Sequence, residues 1–291
     1  MGDQPDMPDD STGHCEVDES VRHLVELGYV DPLVAAGQRR REAESLEVSL
    51  KQALERLDAG EIAAAMALLK QLAEQAPEAL GPHRLLARAY SRAGELDAAL
   101  DELRWIEVHG YEHAEFALLR ATIALRRREL SEAIDQALYA RCLHDPLPAA
   151  DVVLGEAHFR RGDFQSARAA FQSALDSDSG NVAALAGFTA ICLREGDFES
   201  SVDWALQALD EDIRQPAVHY RLGLALLGMD RRVEAAAAME MAAQLDSRLA
   251  APHRCLATLY DVEDAPRAAE HRRRGREIVA LRRGEQTRRG S

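Results

Sequence analysis

The chain has 291 residues, of which 47% are apolar and only 5% aromatic, and its formal net charge is −15. That acidic balance argues against nucleic acid as the main ligand. The absence of an 18-residue apolar run argues against a membrane-spanning helix. No charged-then-apolar leader follows Met1, so the chain reads as cytoplasmic and without a secretory signal. Cys15, Cys142, Cys192 and Cys255 lack metal-ligand spacing and read as reduced thiols.

Residues 1–15 are rich in Asp, Pro, Gly and Ser and read as a disordered acidic tail; residues 1–20 hold seven acids and no base. Residues 16–45 read as an N-terminal helical cap. A short helix is predicted over 17–27, with Gly28 as its stop. Asp31 and Pro32 form an N-cap and first-turn pair for the next helix, whose Arg39-Arg40-Arg41 run reads as a solvated face.

From 46 to 283 one pattern returns seven times at a spacing of 34 residues, with unit starts near 46, 80, 114, 148, 182, 216 and 250. Its marker column is Ala65, Ala99, Ala133, Ala167, Ser201, Ala235 and Ala269. Twelve residues earlier stand Ala53, Ala87, Ala121, Gly155, Thr189, Gly223 and Ala257. Four residues after the marker stand Leu69, Leu103, Ala137, Phe171, Ala205, Met239 and Arg273. A helix stop precedes each marker by five residues: Gly60, Gly94, Arg128, Gly162, Gly196, Asp230 and Asp264. Each unit therefore reads as a helix of about 14 residues, a turn and a second helix. A fixed period of this length implies stacked units sharing one continuous core, with no insertion or deletion between copies. Residues 284–291 read as a disordered basic tail.

The stretches Tyr90–Ala99 and His158–Leu175 carry a small residue, an aromatic, a glycine stop and an alanine in the order of the tetratricopeptide repeat. The chain resembles that family over residues 46 to 283. The resemblance implies an all-α, right-handed superhelical α-solenoid of helix-turn-helix units. It also implies a function as a non-catalytic scaffold that binds a protein or peptide. Departures fall at the ends: Gln52 and Arg56 in the first unit, and Arg273 and Arg276 in the last, fit wettable capping units. A second resemblance covers residues 21–32. It is similar to the junction that precedes repeat units in type I phosphodiesterase/nucleotide pyrophosphatase-like enzymes of the alkaline phosphatase superfamily. It implies the alternative that the chain is the C-terminal module of a split or truncated enzyme. The catalytic domain is absent, so no catalytic residue carries over.

No phosphate loop, nucleophile elbow or His-Glu-x-x-His motif occurs, and no cofactor or metal is called for. His109 and His113 are separated by a turn at Gly110. His83, His219 and His253 share one repeat column and read as packing histidines. Cys192, in the usual aromatic place of its repeat, reads as a small core residue.

The remaining face of each first helix is the informative one. In the resembled family it lines the concave groove, which here would hold Arg84, Arg88 and Arg92, then Leu118, Leu125 and Arg126. It continues through Val152, Phe159 and Arg160, then Leu193 and Arg194, then Tyr220 and Leu224. Two readings of Arg92, Arg126, Arg160 and Arg194 stand side by side. Each could offset the dipole of the helix it ends, an effect of about 0.3–1 kcal/mol. Alternatively the four could form a ladder with rungs about 10 Å apart, gripping an acidic peptide with apolar anchors. The Arg272-Arg273-Arg274 cluster reads as part of a solubilising cap. Oligomeric state is not legible.

Overall fold

The computed structural model describes residues 32–261 and 264–289, with side chains described over 44–261 and 264–283. The acidic tail, the short helix at 17–27, all but Pro32 of the 21–32 segment of the second resemblance, and the side chains of Arg39–Arg41 lie outside this set. Among the described residues there are fourteen helices and no strand. The chain divides into two compact units, Met1–His109 and Gly110–Ser291, where the period implied one uninterrupted core. Residues 109–113 fall at this division, and all five are solvent-exposed.

The first unit holds α1 (Pro32–Asp58), α2 (Ile62–Gln75), α3 (Leu80–Ala93) and α4 (Leu96–Val108). Helix α1 is continuous, so the cap boundary expected at 45/46 falls inside a helix. Nothing between Glu42 and Glu47 can break it: Glu, Ala, Ser and Leu are all acceptable helix residues. The helices pack consecutively, and α1 also packs on α3.

The second unit holds five hairpins. Their first helices are α5 (Ala114–Arg127), α7 (Pro148–Arg161), α9 (Val182–Glu195), α11 (Pro216–Gly228) and α13 (Ala250–Leu259). Their second helices are α6 (Leu130–Leu143), α8 (Phe164–Ser177), α10 (Phe198–Glu211), α12 (Arg232–Leu245) and α14 (Ala265–Arg289). Within this unit every helix packs on the next, as in an α-solenoid, and the first helices α5, α7, α9 and α11 also pack on one another in turn.

The turns show why the period is so regular. After α3, α7 and α9 a glycine takes a left-handed conformation, with φ of 82°, 85° and 80° at Gly94, Gly162 and Gly196. The next residue's N–H then reaches back to the helix, as from Glu95 to the Tyr90 carbonyl (2.9 Å) and from Asp163 to the His158 carbonyl (3.0 Å). This is the glycine-closed helix end. The second helix starts at once: Asp163 and Asp197 accept the N–H of Ser166 and Ser200, each at 3.1 Å.

Packing explains the columns. In two hairpins the glycine of the first helix faces a large residue of the second and the sizes compensate: Gly223 against Met239 and Gly155 against Phe171. The same two columns hold Ala53 with Leu69, Ala87 with Leu103 and Thr189 with Ala205, while Ala121 and Ala137 are both small. Phe171 is 1% exposed. A Cβ on Gly155 would stand 2.5 Å from its ring, and one on Gly187 of the following first helix 2.4 Å. The ring therefore fills the space left by two missing methyl groups, as close packing demands.

The marker column is fully buried from Ala65 to Ala235, then breaks. In α14 it is Ala268 that is fully buried, while Ala269 is exposed. The last helix begins at Ala265 after Asp264, whose carboxylate accepts the Arg267 N–H at 3.1 Å. The last helix thus starts one residue earlier in the repeat phase than its sisters, and the buried stripe becomes Ala268 and Gly275 with half-buried His271 between them. The basic tail expected to be disordered from 284 continues α14 as helix to Arg289. Arg, Glu, Gln and Leu propagate helix well, and Arg274 pairs with Glu270 one turn away at 3.0 Å.

Candidate functional site

The residues expected along the groove do not form one uniform surface. In the first unit Arg84 is exposed and Arg88 half-buried on α3. Leu125 is 9% exposed and belongs to the core, packed with Ile134 and Leu154. It sits in the last turn of α5, where the next repeat's Val153 and Leu154 cover it, so it is removed from the expected apolar floor. Leu118, Val152, Phe159, Leu193, Tyr220 and Leu224 are half-buried. Five of them are flanked by a core cluster: Leu118 by that of Leu154, Val152 and Phe159 by that of Phe171, Leu193 by that of Leu222, and Leu224 by that of Met239. The Tyr220 hydroxyl lies 4.0 Å from Cys255 Sγ, and burial pushes its pKa up.

The arginines divide into two kinds. Arg92 Nη1 donates to the Leu57 carbonyl at 2.8 Å and stands 3.8 Å from Asp58. Arg160 Nη1 donates to the Leu125 carbonyl at 2.8 Å and pairs with Glu156 at 2.8 Å. Each acceptor lies 35 residues upstream, near the end of the preceding first helix. These two arginines therefore satisfy orphan carbonyls of a neighbouring helix, where the helix-end reading had each offset its own. Arg221 follows the same spacing, donating to the Ala186 carbonyl at 3.3 Å; burial pushes its pKa down. Arg126 lies in the last turn of α5 and is exposed. Arg194 is exposed in the last turn of α9, and its side chain has no hydrogen-bond or ion-pair partner among the described residues.

Arg194 and Arg160 meet again at the edge where the hairpins turn. An open cleft of about 550 Å³ is lined by Arg128, Leu130, Phe159, Arg160, Arg161, Gly162, Phe164 and Arg194. The rings of Phe159 and Phe164 lie 5.7 Å apart. Two carboxylates temper it: Glu156 on Arg160, and Asp163, 3.6 Å from Arg161. The Ser166 hydrogen bonds hold Asp163 below the usual carboxylate range, with His158 and Arg161 adding to the effect. Phe159, Arg160 and Arg194 are legible from the repeat register. Arg128, Leu130, Arg161 and Phe164 are not, because they sit in or beside the turns at the helix ends; the replacement of a glycine stop by Arg128 is the signal that points there.

Several polar groups inside the stack are structural. Asp151 is 1% exposed, accepts from Ser173 Oγ at 3.0 Å and lies 3.1 Å from Arg141 Nη1. Burial raises its pKa, against the lowering by Ser173 and Arg141. No repeat column marks it. His83 bonds Glu102 at 2.7 Å and stacks on Trp105, which stacks on His109. His219 is 7% exposed and bonds the Ile213 carbonyl at 2.9 Å. His253, 5% exposed, faces His271 with the two Nδ1 atoms 2.9 Å apart. Burial first, then mutual repulsion, lowers the His253 pKa, and burial lowers that of His271. Cys192 is 2% exposed, and burial pushes its thiol up. No group of three or more His, Cys, Asp or Glu able to hold a metal ion occurs among the described residues. None of the described helices is long and apolar enough to cross a membrane.

A different apolar surface lies on the second helices. Leu206 is 48% and Met241 40% exposed, and both line a shallow hollow of about 400 Å³ with Val202, Leu222, Leu226 and Ala238.

Two tetratricopeptide-repeat family models match the chain, one over residues 56–123 and the other over 143–182 and 152–216. No curated protein matches. Among solved structures, the chain is similar to one in the "APC/C hetero-tetramer Cut9-Hcn1", with TM-score 0.68 and 16% identity. That match covers 74% of this chain and 42% of the other, so the chain spans less than half that protein's length. It is also similar to a tetratricopeptide repeat protein from Parabacteroides merdae, with TM-score 0.62 and 16% identity, over 81% of this chain and 93% of the other. Identities this low speak for the fold alone. With the period, the glycine-closed turns and the paired-helix packing, they lead to one conclusion: this chain carries tetratricopeptide repeats over residues 56–123 and 143–216.

Proposed function

We propose that the chain is a non-catalytic scaffold that holds a protein or peptide along the first-helix face of residues 110–291. The observation that carries this reading is the layering. First helices α5, α7, α9 and α11 pack on one another in turn. They leave Leu118, Val152, Phe159, Leu193, Tyr220 and Leu224 half-exposed along the way. A row of half-buried apolar side chains on a rigid layer can take an extended or helical segment without reorganising. Exposed Arg194 and the guanidinium of Arg160 beside that row favour acidic residues next to the apolar anchors. The compartment we infer is the cytoplasm, consistent with the free thiols of Cys142, Cys192 and Cys255.

The test is capture of a partner by the intact chain, compared across two double variants of unchanged melting temperature. Val152→Ser with Tyr220→Ala should abolish retention, and Leu206→Ser with Met241→Ser should preserve it. The reverse pattern would move the binding surface to the second helices. Metal-dependent hydrolysis of a phosphodiester or nucleotide by the isolated chain, lost on a point substitution, would contradict the non-catalytic reading.

A further inference from the structure

Arg128 occupies a position that four other hairpins give to glycine: Gly60, Gly94, Gly162 and Gly196. Its φ is 64°, the left-handed region that a side chain enters at a cost. The side chain kept there lines the edge cleft, with no hydrogen-bond or ion-pair partner among the described residues. Arg194, from a helix two hairpins on, reaches the same cleft and likewise has none. Arg160 and Arg161 complete the cationic side; among the described residues Arg160 pairs with Glu156 and Arg161 with Asp163, while the neighbouring Glu129 pairs with Arg127. Leu130, the first residue of α6, adds the positive end of a helix whose N-cap Glu129 makes no side-chain capping bond. Phe159 and Phe164 supply two ring faces, and guanidinium and aryl groups together suit a ligand that is flat and anionic at once.

We propose that this edge cleft, formed by the turns after α5 and α7 and the end of α9, is an anion site for a peptide in which a carboxylate or phosphate lies beside an aromatic ring. Arg128 and Arg194 would grip the anionic group from opposite sides, and the two phenylalanines would hold the ring. The strain at Arg128 then has a counterpart in binding, which a glycine could not provide. Nucleic acid fits less well: it would bring a run of phosphates against a strongly acidic chain. The site shares Phe159, Arg160 and Arg194 with the first-helix surface but stands without it, because its test uses defined peptides rather than the scaffold's partner.

Two fluorescein-labelled peptides serve as probes for the intact chain, one alternating Glu and Phe and one carrying a phosphotyrosine between glutamates. Inorganic phosphate and a short single-stranded oligonucleotide are the comparison ligands. At least one peptide should bind, more weakly as salt rises. The better of the two identifies the source of the anion. Arg128→Gly should weaken that binding about tenfold, the loss of one charge-assisted hydrogen bond, while its melting temperature stays the same or rises. Arg194→Ala, on an exposed side chain, should weaken it to a similar extent. Failure of both peptides to bind, unchanged binding in both variants, or tighter binding of the oligonucleotide at equal salt would each overturn the proposal.

Discussion

Gly155→Ala tests the packing logic at its tightest point. The new methyl carbon would stand 2.5 Å from Phe171 Cε1 and 2.6 Å from Cδ1, where ordinary contact is about 3.5–4 Å. The ring has little room to slide toward the next first helix, because it already occupies the space where a Cβ on Gly187 would stand, 2.4 Å from Cζ. Overpacking of this kind costs about 1–3 kcal/mol. Alanine returns up to about 1 kcal/mol as the better helix former. The net loss should be about 1–2 kcal/mol, a drop of roughly 2–8 °C for a unit of this size. Phe171→Leu alone should also destabilise, by leaving a cavity, at about 1–2 kcal/mol. The double variant recreates the Ala–Leu pairing found at Ala87 and Leu103, so it should cost less than the sum of the singles by about 1 kcal/mol. Thermal melting of the four proteins completes the cycle. Gly155→Ala melting at or above the parent, or strict additivity in the double variant, would refute the compensation argument.

Three further outcomes follow from the polar groups. Arg160→Ala removes the bond to the Leu125 carbonyl and should lower stability by about 1 kcal/mol. Arg194→Ala should change melting by less than about 0.5 kcal/mol, and equal losses would erase the distinction between the two kinds of arginine. Arg141→Ala leaves Asp151 buried without its counter-charge and should cost about 2 kcal/mol at pH 7. The folded state raises the Asp151 pKa, so protonation favours folding there. The loss should shrink as pH falls from 7 toward 5, and a loss that grows on acidification would contradict the assignment. His253 and His271 have depressed pKa values, so their contribution is present above about pH 6.5 and is lost as pH falls through the folded values. Hydrogen exchange in α13 and the start of α14 should accelerate on acidification, and His271→Gln should flatten that dependence. An unchanged pH response in the variant would remove the histidine pair from the explanation.

The repeat phase was legible because the small and large columns carry the packing of every unit, and the first helices from Leu80 onward start where that phase implies. The last unit escaped it. Ala269 continues the spacing of 34, while the buried residue is Ala268, and only the start of α14 at Ala265, one residue ahead of the phase, reveals the shift. The double approach of Gly155 and Gly187 to one ring was also hidden, since each glycine reads alone as a tolerated small residue. The arginines show the sharper limit. Their register was visible, but not that Arg92 and Arg160 reach a carbonyl 35 residues upstream, because that contact joins two repeats. Asp151 left no trace at all: a first-turn acid normally faces water and favours its own helix, and burial against Arg141 and Ser173 appears only when α6, α7 and α8 are stacked.

Hydrogen exchange on the intact chain, with and without its captured partner, tests the scaffold reading most directly. The partner should slow exchange in α7, α9 and α11 and leave α8, α10 and α12 unchanged. Protection confined to α10 and α12, around Leu206 and Met241, would contradict it.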